Sequence, residues 1–258
     1  MINMIRAEKY RLTKTKGFYI FWGLILLVVI LDLATNTIGA IGLGVGIDTD
    51  EMPTYTKDIM FLMGNFNFYF FLLMPVFSIV VGEFSDHIVK NTISSAISKS
   101  RFFVYKYVIC VVYGVLVFLV VNVGFYGLYA IFRSDYGRAD FGVYMSRVMG
   151  QLPLIVMLLS VFVTVAFLFR KGAAYNSVMI IAPFLFEVIL GICMAIPGLK
   201  DFSFLSKVIR YEVSTVMFNI GSGIDFMGSY YRNILIACVA ITVLTFLIGY
   251  SSFKKREL

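Results

Sequence analysis

Apolar residues in this chain come in long unbroken runs, without the strict alternation of a half-buried strand or the polar interruptions of a surface helix. Six runs approach or exceed the roughly 20 residues that a helix needs to cross a hydrocarbon core: 17–34, 59–81, 107–132, 152–169, 173–196 and 234–250. Only two charged side chains, Asp32 and Glu187, fall inside them. Transmembrane β-strands would read as alternating segments of roughly ten residues. The pattern predicts an all-α integral membrane protein: a single transmembrane domain over 1–258 with six transmembrane helices.

The segments between the runs have their own patterns. In 1–16, Met1, Ile2, Ile5 and Leu12 share one side of a helix, with Arg6, Arg11 and Lys14 elsewhere and Lys9 and Lys16 intruding on the apolar stripe. This predicts an amphipathic helix in the membrane interface, its lysines snorkelling; a basic flank that only sets topology is the plainer alternative. Residues 82–106 are longer than a connection requires. They mix Ile88, Ile93 and Ile97 with Glu83, Asp86, Lys90, Asn91, Lys99 and Arg101, as a short helix docked in a partner's groove would. Residues 197–233 are also over-long, and their three- and four-residue apolar spacing predicts one or two short helices that dip into the outer leaflet or cap the bundle. The loop 35–58 joins Gly39, Gly42, Gly44 and Gly46 to Asp48, Asp50, Glu51 and Asp58. It lacks the Lys-Ser/Thr ending of a phosphate loop and the full ligand set of a calcium loop.

Composition sharpens the class. The chain is 60% hydrophobic and 14% charged, too apolar for a domain with a wetted surface. Lys and Arg are enriched in cytoplasmic loops. With the N-terminus inside, the inner segments hold 14 of them in 52 residues and the outer loops 8 in 80. Both termini are therefore expected in the cytoplasm, and the net charge of +7 reflects topology, with no nucleic-acid partner expected. No small-residue cleavage site follows Leu33, so the first apolar run is expected to be retained.

Motifs are informative by absence. There is no G-x-x-x-x-G-K-[S/T], H-E-x-x-H, C-x-x-C or G-x-S-x-G, and the one histidine is His87. The chain is therefore expected to be no enzyme, with no cofactor or metal of its own. Cys110, Cys193 and Cys238 lie unpaired within apolar runs and read as packing residues. An ionisable group at membrane depth costs about 2.5–3.5 kcal/mol on the lenient insertion scale. Glu187 is therefore expected to face protein, water or a partner, with Asn67, Asn122, Asn176 or tyrosines as candidate contacts. A substrate path or dimer interface and a protonated structural carboxyl stand as equal readings. The aromatic run Phe66, Phe68, Tyr69, Phe70 and Phe71 either lines a hydrophobic route or, as such runs more often do, faces lipid or packs between helices. Pro75 and Pro183 are expected to bend the second and fifth spans.

The order of these parts, together with MIRAEKYRLTKTKGFYIFW at the start and the stretch from Glu83 to Arg101 with its acidic, Lys-Asn-Thr and Ser-Arg blocks, resembles the ABC-2 type transporter permeases. The likeness is greatest to the lantibiotic and bacitracin immunity permease subunits of the bacterial cytoplasmic membrane. The chain departs from the family pattern at His87 and Ala96, where glycine is common. The resemblance implies a dimerising six-helix permease half, paired with a second permease copy or homologue. It implies a coupling helix in 82–106 for a separate ABC ATPase subunit that holds ATP and Mg, and re-entrant helices in the last outer loop. The implied function is ATP-driven export of a hydrophobic or cationic antimicrobial peptide from the membrane or cell. An ion-coupled secondary transporter or channel, and a non-transporting immunity or sensor protein, are the alternatives.

Overall fold

The computed structural model describes residues 2–35, 67–85, 97–132, 140–169, 171–196, 203–223 and 228–255. They form helices throughout: α1 (Ile2–Lys14), α2 (Lys16–Thr35), α3 (Asn67–Val76) continuing through a π-helical turn (Phe77–Val81) into α4 (Gly82–Ser85), α5 (Lys99–Phe132), α6 (Phe141–Phe169), α7 (Gly172–Ala195), α8 (Ser203–Arg210), α9 (Val213–Ser222) and α10 (Ser229–Lys255). Four of them, α5, α6, α7 and α10, are long and apolar enough to cross a membrane, and shorter apolar helical stretches run over Lys16–Leu27 and Phe71–Phe84. The chain is an all-α, multi-pass membrane protein.

Three helices extend well beyond the expected spans. α5 starts at Lys99 instead of Tyr107, α6 at Phe141 instead of Leu152, and α10 runs over Ser229–Lys255 instead of 234–250. A hydropathy run ends where the lipid ends, whereas a helix ends where its backbone finds a cap. At 34 residues, α5 is about 51 Å long at 1.5 Å per residue. That exceeds a hydrocarbon core of about 30 Å, so its end turns lie in the polar layers.

Local chemistry explains the caps. The Asp140 carboxylate accepts the Gly142 N–H at 3.0 Å and its carbonyl the Tyr144 N–H at 2.9 Å, which starts α6 with a negative charge at the positive helix end. Ser98 opens α5, its carbonyl accepting from Phe102 N–H at 3.0 Å. Between α1 and α2, the Thr15 hydroxyl donates to the Leu12 carbonyl at 2.8 Å and its N–H to Arg11 O at 3.2 Å. These bonds close α1 and let the chain turn into α2 within one residue.

The bundle is organised around α6. In its most apolar stretch 61% of residues are buried, against 6% for α7, so α6 is the central helix and α7 a peripheral one. It packs against α10, α5, α9 and α3. Close approach to α5 depends on Gly114, where a Cβ would stand 2.5 Å from a Leu159 methyl carbon. Polar side chains stitch the centre, as expected where apolar surface alone does not distinguish helix from lipid. The Tyr107 hydroxyl donates to Ser160 Oγ at 2.8 Å, Ser160 and Thr245 hydroxyls lie 2.6 Å apart, and Thr164 donates to Thr245 O at 2.9 Å. Tyr69 in α3 donates to Met179 O in α7 at 3.1 Å and its ring stands edge-on to Phe162 at 5.0 Å. This places one member of the aromatic run between helices. Near one end, Phe84, Phe102, Phe103, Phe167 and Phe253 form a ring cluster with centroids 4.7–6.5 Å apart.

Candidate functional site

The most unusual chemistry lies where α1 crosses the ends of α3–α4 and α5. Pro75 cannot donate a backbone hydrogen bond, and directly after it the helix widens into the π turn, with Gly82 N–H bonded to Phe77 O. Such turns leave carbonyls available to other donors. Here the donor is Arg11, whose Nη2 reaches Ser78 O at 3.0 Å and Ile79 O at 3.4 Å.

The same guanidinium pairs with Glu8 at 2.9 Å and with Glu83 at 2.8 Å. From α5, the Lys106 ammonium enters between the same carboxylates, 2.6 Å from Glu83 Oε1 and hydrogen-bonded to Glu8 Oε1. Lys106 is 2% exposed along its side chain and lies 5.6 Å from the Phe102 ring centroid. Two acids and two bases thus form a closed quartet drawn from three separate segments, α1, α4 and α5.

Burial raises the Glu83 pKa, against the opposing pull of Lys106 and Arg11. The carboxyl lies two residues beyond the expected second span. Glu83 Oε2 and the Tyr105 hydroxyl are buried without a hydrogen-bond partner among the described residues. Opposite charges at such distances interact strongly when water is excluded. Desolvation makes the quartet costly to build and costlier still to break one member at a time. Lifting α1 would break Arg11–Glu83 and Lys106–Glu8 and leave Glu83 paired with Lys106 alone.

The expected coupling residues separate. Glu83 is buried in the quartet and not on a solvated rim. Ile97 is half-buried against the core, while Arg101 is exposed on the first turn of α5. Asp86, Ile88, Lys90, Asn91 and Ile93 lie outside the described residues. So do residues 36–58 of the glycine and acid loop. Asn67 and Phe68 open α3, and Glu187 lies in α7, with their side chains outside the described set. Asn122 is engaged elsewhere: its amide donates to Phe118 O at 2.8 Å and its Oδ1 accepts from Tyr144 at 3.0 Å. Cys110 and Cys238 are buried and unpaired.

Glu8 and Lys106 were not among the residues singled out from the sequence. A signal existed for Lys106: at helical spacing it shares a face with Phe102, Phe103 and Cys110, all buried, and a cation on an apolar face needs a partner. For Glu8 the only hint was Arg11 three residues on. Among the described residues there is no group of histidine, cysteine, aspartate and glutamate that could hold a metal ion. The chain matches no protein-family model, and no curated protein resembles it significantly.

Proposed function

We propose that this chain is the permease subunit of an ATP-driven exporter of the ABC-2 kind. It would lie in the bacterial cytoplasmic membrane with six spans and both termini inside, and move a hydrophobic or cationic peptide. The observation that carries the reading is the quartet Glu8–Arg11–Glu83–Lys106, which binds α1, α4 and α5 into one unit on either side of the long inner segment. A push on that segment from a partner subunit would move the ends of two spans and the N-terminal helix together, as an input for mechanical work requires. With no nucleotide loop in the full sequence, ATP and Mg would be held by the partner, and the expected second permease copy would complete the path. Glu187, Asn67 and Phe68 remain the proposed residues of that path or of the dimer interface.

An ion-coupled transporter is the second reading, favoured by the buried carboxylates. Each of them already faces a cation in the quartet, which supports a structural lock over a vacant ion site. The test is affinity purification of the tagged chain from its native membrane. A co-purifying ATPase, lost in Ile93→Asp/Arg101→Glu while thermal unfolding of the chain is unchanged, is the expected result. Export that continues on an ion gradient with ATP depleted, and no ATPase in the eluate, would overturn it.

A further inference from the structure

Among the described helices α8 is the one with no buried residue, and its side chains are sorted. At 100° per residue, Phe204, Leu205, Val208 and Ile209 fall within an arc of about 140°, and Ser203, Ser206, Lys207 and Arg210 fall within an opposite arc of about 100°. Phe204 is 68% exposed and the adjoining Tyr211 is 45% exposed. The helix has no acidic residue. The next acid along the chain, Glu212, is committed to capping α9: it accepts Ser214 N–H at 2.8 Å and Thr215 N–H at 2.9 Å, and both hydroxyls as well. Within α8 no carboxylate accompanies the exposed Lys207.

The position of α8 is set from below. The Tyr230 hydroxyl in the first turn of α10 donates to Arg210 O at 2.6 Å, and the Arg210 guanidinium lies 4.8 Å above the Tyr230 ring. Tyr211 and Tyr230 rings are 5.4 Å apart. α8 follows one helix of membrane-crossing length and precedes another, α7 and α10, so it lies at a membrane face whatever the sidedness of the chain.

We propose that α8 is a lipid-binding surface for anionic phospholipid. It lies flat in the interface, with Phe204, Leu205, Val208 and Ile209 in the acyl region and Lys207 and Arg210 on the phosphates. An apolar arc this wide with basic residues opposite it suits a helix lying in the interface plane. A re-entrant helix, surrounded by acyl chains, would have to bury Lys207 and Arg210 away from water. The exposed Tyr211, placed at the headgroup level, completes the anchor. The surface is independent of the transport reading, and either can fail without the other.

The chain has one tryptophan, Trp22, so Phe204→Trp in a Trp22→Phe background gives the full-length protein a single reporter on α8. The protein is placed in nanodiscs of phosphatidylcholine alone, or of phosphatidylcholine and phosphatidylglycerol in equal parts, with bromines at shallow or deep acyl positions. Shallow quenching that rises in the anionic discs is expected, and Lys207→Gln/Arg210→Gln should remove about half or more of that rise, since each basic residue contributes separately. Lys207→Arg should retain it, and gel filtration should give one profile for all variants. Quenching indifferent to lipid charge would overturn the phosphate assignment. Deep quenching would mean a re-entrant helix, and no quenching a surface covered by protein; either overturns the proposal.

Discussion

The ammonium of Lys106 lies 2.6 Å from Glu83 Oε1, although 22 residues separate the two along the chain. Glu83 lies two residues past the second expected span and Lys106 one residue before the third, so their pairing ties the two ends of the inner segment 82–106 together. Lys106→Met leaves Glu8 and Glu83 sharing the Arg11 guanidinium and should cost about 3–5 kcal/mol, the usual penalty for removing one partner of a buried pair. Glu83→Met/Lys106→Met should recover part of the loss. Thermal unfolding in detergent measures both, and a fully additive double variant would show that the two residues are not coupled.

Arg11 offers a milder probe of the same joint. Arg11→Lys keeps the charge but loses the fork that spans Glu8, Glu83 and the Ser78 carbonyl, because an ammonium cannot reproduce bidentate geometry. We expect Arg11→Lys to leave α2–α10 folded while protease sensitivity at α1 rises. An unchanged cleavage pattern would mean that the Glu8–Lys106 pair and the apolar contacts hold α1 without the Arg11 fork.

Gly114 sets the α5–α6 distance. A methyl there would stand 2.5–2.6 Å from both Leu159 methyl carbons, too close without a shift of a side chain that is wholly buried. Gly114→Ala should destabilise by about 1–3 kcal/mol, the range for overpacking. Adding Leu159→Ala should cost less in the Gly114→Ala background than in the native chain. Stability measurements on the four proteins decide it.

Ser160 accepts from Tyr107 and shares a hydrogen bond with Thr245, so one hydroxyl links three helices. Side-chain hydrogen bonds between membrane helices contribute about 0.6 kcal/mol on average and up to about 1.7. Ser160→Ala should fall near the upper value, and Thr245→Ala should have little further effect once Ser160 is gone. Additive losses would point to separate contacts.

The proposed orientation has its own measurement. Ser98, Ser203 and Ser251 are all exposed, so single cysteines there report sidedness without disturbing the core. In a background lacking Cys110, Cys193 and Cys238, an impermeant thiol reagent added outside cells should label Ser203→Cys and spare Ser98→Cys and Ser251→Cys. The reverse pattern would invert the topology.

The sequence by itself determined the solvent. Long runs almost free of charge can be dissolved only in lipid, and a backbone in lipid must satisfy its own hydrogen bonds, which makes it helical. It also determined which charges sit near membrane boundaries, because Lys and Arg are excluded from the runs. What it could not encode in any local pattern is which face of each helix meets protein and which meets acyl chains, because both are apolar and the runs carry no alternation to tell them apart. Tertiary structure alone placed α6 at the centre and left α7 at the edge, brought Tyr69 between helices, and turned Glu83 inward. The same holds for Lys106: its place on an apolar face was legible, but Glu8 and Glu83, the carboxylates that make its burial tolerable, come from distant segments that only the fold brings together.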